Sequence, residues 1–325
     1  MALPFSSSWT KQVLARIDTA WVTNLPGSLT EAEGEGPMSI LTADARIVVW
    51  GGGVALAYDG RTGEFASKCR LSGASFAGFA TDGSPVFAHK GKHSRLDVAG
   101  MTLVPDDTPP AACRVATDSP DDPATDPLLI IGRRTLRARI ESRSRVTRHR
   151  LLVCDEGHPP RECEIAAYTL RTDRLVLADY GGGQIRGRVG TDPDCPIASI
   201  SGSEHGEVLV VRRKYREWHE HAVANDVADL VGHGTAALEV IVVPEGHAPA
   251  VTREIGETEE SWEGLGRRGL YAPARLVRAT GIRAVGVLDG LAIVEVVELT
   301  AKRGADEGLQ AKRRAIAAIS TAGPR

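Results

Sequence analysis

VALAYDGRTGEF, at residues 54–65, is nearly repeated as IAAYTLRTDRLVLADY at residues 165–180. Both copies contain Ala-Tyr, two residues, Arg-Thr, Gly or Asp, one further residue and Phe or Leu, at Ala57–Phe65 and at Ala167–Leu175. Each copy begins with an apolar stretch and continues into polar turn residues, which is the pattern of a strand that leads into a hairpin. The repetition predicts a chain built from recurring antiparallel β units, in which each copy is the hairpin between two outer strands.

Short apolar stretches bounded by turn residues recur along the rest of the chain. They are rich in Val, Ile and Leu, which is typical of strands. Turn pairs such as Asp59-Gly60, Asp82-Gly83 and Asp289-Gly290 stand between neighbouring stretches and favour tight hairpins. The clearest stretches are at residues 46–50, 54–58, 85–89, 127–132, 149–155, 174–180, 207–211, 238–243, 282–290 and 291–299. The sequence therefore predicts an all-β fold.

The spacing of these stretches predicts a repeat architecture. The strongest stand about thirty to fifty residues apart, which is the length of a four-stranded propeller blade. With this spacing and the segment ALAYDGRTGE (55–64), the sequence resembles the β-propeller superfamily of WD-repeat and quinoprotein-type repeats. The resemblance implies that residues 55–58 belong to a third strand and that the Asp-x-x-Thr-Gly turn leads to the outermost strand. It also implies a β-propeller of about six or seven four-stranded blades.

The resemblance covers roughly residues 40 to 300 and divides the chain into three parts. Residues 1–37 are expected to form an N-terminal segment and loop, and residues 38–300 the β-propeller. Residues 301–325 form the tail, in which Leu309, Ile316 and Ile319 lie on a loose helical stripe with basic residues between them. We expect this tail to form a short C-terminal helix.

Composition and charge limit the classes of function. The chain has 42% hydrophobic and 25% charged residues and a net charge of −3, which argues against wholesale disorder and against a general attraction to nucleic acid or anionic lipid. The start, MALPFSSSWTKQ, lacks the basic and apolar regions of an export signal, and no run of about eighteen apolar residues occurs. We expect a cytoplasmic protein with no membrane association, and the preference for Arg over Lys suggests a bacterial source.

One short loop carries residues that zinc could use. Cys154, His158 and Cys163 place three soft or borderline donors within CDEGHPPREC (154–163), and zinc takes four such ligands in a tetrahedral array. The opening Cys pair of a zinc knuckle is missing, and the five cysteines of the chain include no CxxC pair. The alternative is an unligated loop and a protein without a cofactor.

Two arginine-rich stretches are candidates for binding a partner. RRTLRARIESRSRVTRHR (133–150) holds eight arginines, and Arg137 and Arg139 alternate with apolar residues as on a half-buried strand. RRKYREWHEH (212–221) combines basic and aromatic side chains. Such stretches can contact an acidic protein or nucleic-acid phosphates, or can simply form a solvated outer strand. The candidate contacts in the second stretch are Arg213, Tyr215 and Trp218.

Trp262 lies in the acidic segment GETEESWEGLGRR (256–268). A large aromatic side chain in such a place can anchor an interface. The alternative is that Trp262 caps the core beneath its loop. Loops at 24–37, 105–127 and 245–268 are the expected contact surface of the propeller.

No complete catalytic group of residues is evident. His233-Gly234-Thr235 resembles one element of subtilisin-like proteases, but the nucleophile motif that such a protease needs is missing. His219 and His221 have no third group placed with them. We therefore expect a non-enzymatic scaffold or regulatory subunit that binds, and could inhibit or position, a partner protein in a bacterial complex. The alternatives are a metal-dependent hydrolase or lyase at the propeller channel and a nucleic-acid contact through the arginine-rich strands.

Overall fold

A computed structural model gives the architecture of the chain. It describes residues 19–29, 39–42, 44–80, 84–106, 115–116, 125–131, 134–143, 146–155, 157, 159, 161–169, 176–180, 183–187, 197–202, 206–222, 230–244, 251–264, 274–301 and 309–321. Between them these residues contain strands and one short 3-10 turn, Gly27–Leu29.

The strands are numbered in chain order. The first nine are β1 (Thr19–Asn24), β2 (Ser39–Leu41), β3 (Arg46–Gly51), β4 (Val54–Asp59), β5 (Phe65–Arg70), β6 (Ser75–Phe79), β7 (Pro85–His89), β8 (Lys92–Asp97) and β9 (Thr102–Pro105). The next seven are β10 (Val115–Ala116), β11 (Thr125–Ile131), β12 (Arg134–Arg143), β13 (Val146–Asp155), β14 (Arg161–Thr169), β15 (Val176–Tyr180) and β16 (Gly183–Gly187). The last seven are β17 (Ile197–Gly202), β18 (Val208–Ala222), β19 (Leu230–Val243), β20 (Val251–Gly264), β21 (Ala274–Leu288), β22 (Leu291–Ala301) and β23 (Leu309–Ser320).

The all-β prediction is confirmed. The strands form antiparallel sheets of eight, five, four, four and two strands, and the described residues contain no α-helix. Two of these sheets, β2-β3-β4-β5 and β6-β7-β8-β9, are four-stranded meanders in chain order. Among the residues described, no helix is long and apolar enough to cross a membrane.

The predicted C-terminal helix is wrong. Leu309–Ser320 is strand β23, which lies between β1 and β22 and pairs antiparallel with both. Its segment Ala315–Ile319 is buried on both faces, so the apolar run fits an interior strand as well as a helix. Pairing with two neighbours and burial outweigh the helix propensity of the alanines.

The first copy of the repeated segment forms the predicted hairpin. β4 is the third strand of its sheet, and residues 60–64 turn the chain into the outermost strand, β5. The second copy does not make the same hairpin, because β14 pairs with β13 whereas β15 pairs with β16 in another sheet. Similar local sequence therefore led to different pairing.

The sheet β2–β5 is buried on both of its faces. Alternate residues of a strand point to opposite faces, so Ile47 and Val49 of β3 face one core while Val48 and Trp50 face another. The first core is shared with β21, β22 and β23 and includes Tyr58, whose pKa is raised by burial to about 12. β3 and β4, the central strands of the sheet, are almost continuously apolar because both of their faces are covered.

The second core joins the sheet β2–β5 to the sheet β6–β9. Trp50 stacks against Phe76 at a ring-centroid distance of 5.0 Å and meets Phe87 edge-on at 6.0 Å. Leu96 and the free thiol of Cys69 are buried in the same core, and burial raises the pKa of that thiol.

The eight-stranded sheet has the order β1-β23-β22-β21-β20-β19-β18-β17 and folds back on itself. β20 pairs with β21 over the short stretch Ser261–Gly264, and beyond it β17 and β18 lie against β21. Ser201 Oγ donates to the carbonyl of Val285 at 2.8 Å across this fold. A core that includes Leu209, Leu238, Ile282 and Val294 fills the space between the two halves.

A buried ion pair fastens the N-terminal strand region to the C-terminal strands. Glu295 of β22 and Arg314 of β23 are 0% and 2% exposed, and the Arg314 guanidinium donates to the Glu295 carboxylate. Ser39 Oγ donates to Glu295 Oε2 at 3.1 Å, and Arg314 Nη1 donates to the carbonyl of Leu29 at 2.6 Å. The backbone N–H of Leu25 donates to the Arg314 carbonyl at 2.9 Å. Leu29 and Ser39 are thus tied to the two strands by charge-assisted bonds, and Leu25 by a backbone hydrogen bond.

Candidate interaction surface

One end of the stacked sheets is built from turns that aspartates hold closed. Asp59 and Asp97 each end the third strand of a four-stranded sheet, thirty-eight residues apart. Asp59 Oδ1 accepts the backbone N–H groups of Arg61 and Thr62, both at 2.9 Å. The Asp97 carboxylate likewise accepts backbone N–H groups within its own turn, at 3.2 Å. We call this region the capped end: turns 59–64 and 97–101, residues 44–46 and hairpin 288–291.

The capped end links two sheets at their tips. Arg61 Nε donates to Asp289 Oδ2 at 2.8 Å, which joins the β4–β5 turn to the β21–β22 hairpin. Gly63 has a φ of 70°, and a Cβ there would overlap the ring of Trp21, so the turn requires glycine. Thr23 Oγ1 donates to the Gly63 carbonyl at 2.6 Å. β1 therefore packs directly on the repeated Arg-Thr-Gly segment.

Four acidic side chains of the capped end make internal contacts. Asp59 and Asp97 bond to turn N–H groups, Asp289 to Arg61, and Asp44 to Arg46 at 3.6 Å. The backbone hydrogen bond from Thr62 is the main reason that the pKa of Asp59 is below its ordinary value; burial acts in the other direction, and further bonds from Arg61 and Thr62 lower the pKa again. These carboxylates thus have a structural explanation.

Replacing Asp59 by alanine is expected to lower the free energy of unfolding by about 1 kcal/mol or less at pH 7, because the side chain is largely exposed. The folded-state pKa is depressed, so the stabilising effect of the carboxylate is complete above the ordinary value of about 3.9. It is lost as the pH falls through the folded-state pKa. Urea unfolding of the wild type and Asp59→Ala should show a smaller difference in unfolding free energy near pH 3 than at neutral pH. The unfolding free energy of Asp59→Asn at neutral pH should lie between those of the other two proteins. A difference that stays constant with pH would assign the loss to the turn backbone instead.

The opposite end of the sheets β2–β5 and β6–β9 carries exposed basic side chains. Arg70 ends β5, and His89, Lys90 and Lys92 surround the β7–β8 hairpin; all four are exposed. The backbone N–H of Leu71 donates to the Gly53 carbonyl at 2.8 Å, which joins the β5–β6 connection to the β3–β4 hairpin. Gly73 lies beside the His89 ring. We call this region the basic end: residues 52–53, 70–73 and 89–92.

The cations of the basic end have no internal partner in the described part of the chain. The side chains of Arg70, Lys90 and Lys92 make no ion pair or hydrogen bond with another described residue. Arg95, three residues after Lys92 on β8, differs because it pairs with Asp106 at 3.8 Å.

Tight turns shape the basic end. Gly53 and Gly91 have φ values of 77° and 76°, and no atom lies within 4 Å of where a Cβ would be on either. Ser72 and Lys90 also have positive φ, 48° and 49°. Successive turn residues of this kind can turn backbone N–H groups toward solvent, where they bind anions.

The residues of the basic end were not among the predicted contacts. Its signal was present as HKGKH (89–93), in which two lysines flank a turn glycine. The partner contacts were predicted in the arginine-rich stretches instead, because those stretches carry more positive charge. What the sequence could not give was the contact of Leu71 with Gly53, which brings Arg70 to the same end.

Four of the predicted partner-binding residues share one register. Arg213, Tyr215 and Trp218 of β18 pair with Leu238, Ala236 and Gly234 of β19, and Trp262 of β20 pairs with Gly232. These partners are alternate residues of β19, so the four residues occupy positions on the same face of the sheet. Their side chains lie outside the described residues, so their binding role stays a prediction.

The other two predicted contacts, Arg137 and Arg139, lie on β12, between β11 and β13. Arg139 pairs with Thr125 on one side and with Arg150 on the other. An interior strand position differs from the solvated outer strand that was the alternative. The side chains of both arginines are outside the described residues.

The predicted zinc ligands are only partly described. Cys154 is a free, half-buried thiol near the end of β13. Cys163 of β14 pairs with Leu151 of β13, which is three residues before Cys154. The register therefore places the two cysteines at positions on opposite faces of the sheet. His158 lies outside the described residues. Among the described side chains no group of three or more His, Cys, Asp or Glu is placed to hold a metal ion.

Comparisons with known proteins do not show a family for this chain. No family model matches it, and no curated protein matches it. Among solved structures, a chain of the S. cerevisiae assembly of variant Dbp5 with Nup159, variant Gle1, IP6 and ADP aligns at a TM-score of 0.26 and 8% identity, covering 93% of this chain and 95% of that one. A eukaryotic initiation factor aligns at a TM-score of 0.21 and 8% identity, covering 89% and 92%.

Proposed function

We propose that the chain is a β-propeller scaffold or regulatory subunit that binds a partner protein in a bacterial complex without catalysing a reaction. The arrangement of the sheets supports the propeller. β1 pairs with β23, so strands from both ends of the sequence complete one sheet. From that sheet the packing proceeds to β2–β5 and then to β6–β9, with an apolar core at each interface. Blades of a propeller pack face to face in this way.

The observation that carries the binding role is the convergence of short connections on rigidly packed sheets. At the basic end, the connections after β3, β5 and β7 contact one another through Leu71, Gly53, Gly73 and His89. Short loops on a rigid frame are preorganised, so little conformational entropy is lost when a partner binds. A surface of this kind suits recognition of a macromolecule.

The experiment is an affinity purification of the tagged full chain from its native cells under mild conditions, followed by size-exclusion chromatography and mass spectrometry. We expect one protein to be retained at about one copy per chain and to elute with it. Excess untagged chain should reduce the capture, and the tag alone should capture nothing. Elution of the chain as free monomer, with no protein that untagged chain displaces, would contradict the scaffold role.

A further inference from the structure

We infer that the basic end contacts an acidic segment of the partner protein, an inference that rests on the proposed binding function. The capped end and the basic end close the same two sheets yet differ in how their charges are used. Each carboxylate named at the capped end has an internal partner, whereas Arg70, Lys90 and Lys92 have none among the described residues. All three side chains are exposed, so a ligand can reach them from solvent.

The geometry of the basic end suits carboxylates. The cations lie on two connections, β5–β6 and β7–β8, which contact each other through Gly73 and His89, so an extended acidic segment can meet several of them at once. Open space over Gly53 and Gly91 lets a ligand approach the turn backbone closely. Exposed charge pairs contribute modestly to affinity but add up over a surface and speed association at low salt.

An acidic protein fits this surface better than nucleic acid does. Proteins that bind single strands stack bases on exposed aromatic rings beside their cations. Here Trp50, Phe76, Phe79 and Phe87 pack against one another in the core. The exposed ring of Phe65 lies at the start of β5, next to the capped end.

The test uses fluorescence anisotropy of a labelled peptide of about fifteen residues rich in glutamate, with the full chain at about 50 mM salt. Arg70→Gln/Lys92→Gln removes two charges from the basic end, and Lys90 is kept because its φ of 49° restricts substitution. Arg283→Gln/Lys312→Gln removes two exposed charges from β21 and β23 as the matched control. We expect about tenfold weaker binding for the first variant and a change within about twofold for the control.

Three results would overturn the inference: no saturable peptide binding, equal loss in the two variants, or tighter binding of a single-stranded DNA of matched length. Affinity purification with the same variants separates this inference from the proposed function. A partner that is retained by the control but lost by Arg70→Gln/Lys92→Gln supports both. If wild type and Arg70→Gln/Lys92→Gln retain a partner equally, the scaffold role stands and the basic end is not its contact. If wild type retains none, the scaffold role itself fails.

Discussion

Replacing Arg314 by methionine is expected to lower the free energy of unfolding by about 3–5 kcal/mol. The substitution leaves the Glu295 carboxylate, which is 0% exposed, with Ser39 Oγ as its remaining named partner. It also removes the donor to the Leu29 carbonyl. A buried charge without its counter-ion has a large desolvation cost. Equilibrium unfolding in urea, followed by tryptophan fluorescence, measures the change.

Two variants separate the charge from the shape of the side chain. Glu295→Leu/Arg314→Met removes both charges and should recover at least half of the loss, because an apolar pair of similar volume can replace a buried ion pair. Lys312→Met, on the exposed face of β23, should change the unfolding free energy by less than about 0.5 kcal/mol. If Arg314→Met does not fold, Arg314→Lys retains the charge and should give a smaller, measurable loss. A loss below about 1 kcal/mol in Arg314→Met would mean that the ion pair does not fasten Leu29 and Ser39 to β22 and β23.

The sequence predicted the strands well because their apolar runs are short and bounded by turn residues. β3, β4 and β7 lie where RIVVW, VALAY and PVFAH placed them. The same reading failed for Ala315–Ile319, because a strand buried on both faces loses the alternation that distinguishes it from a helix. Its assignment depends on β1 and β22, which come from distant parts of the chain.

The repeated segment shows where local sequence is sufficient for prediction and where it is not. Asp59, Thr62 and Gly63 determine their turn through contacts within six residues, so local sequence was enough to predict it. The second copy has Asp173 where the first has Gly63, the glycine whose positive φ and lack of a Cβ admit Trp21. The basic end is formed by contacts between connections that are distant in sequence. The proximity of Arg70 and Lys90 could therefore not be predicted from local sequence.

Replacing Phe87 by alanine is expected to destabilise the fold by about 3–5 kcal/mol. Phe87 is 1% exposed on β7 and meets both Trp50 and Phe76 edge-on at 6.0 Å. Its removal leaves a cavity in the core that joins the sheets β2–β5 and β6–β9, and the rings around it lose contacts that neighbouring strands cannot restore. Urea unfolding and the near-ultraviolet dichroism of Trp50 report the change.

Phe65→Ala is the matched control, since it removes the same ring from a site that is 56% exposed. Phe65 contacts Tyr58 edge-on at 5.9 Å, so its loss should cost about 1 kcal/mol or less. The contrast bears on the proposed function as well. If the sheets are preorganised by their shared cores, Phe87→Ala should weaken capture of the partner although Phe87 lies away from the surface, whereas Phe65→Ala should leave capture unchanged. Equal stability of the two variants would show that β6–β9 is not held against β2–β5 through this core, and the basic end, which draws residues from both sheets, would lose its rigid base.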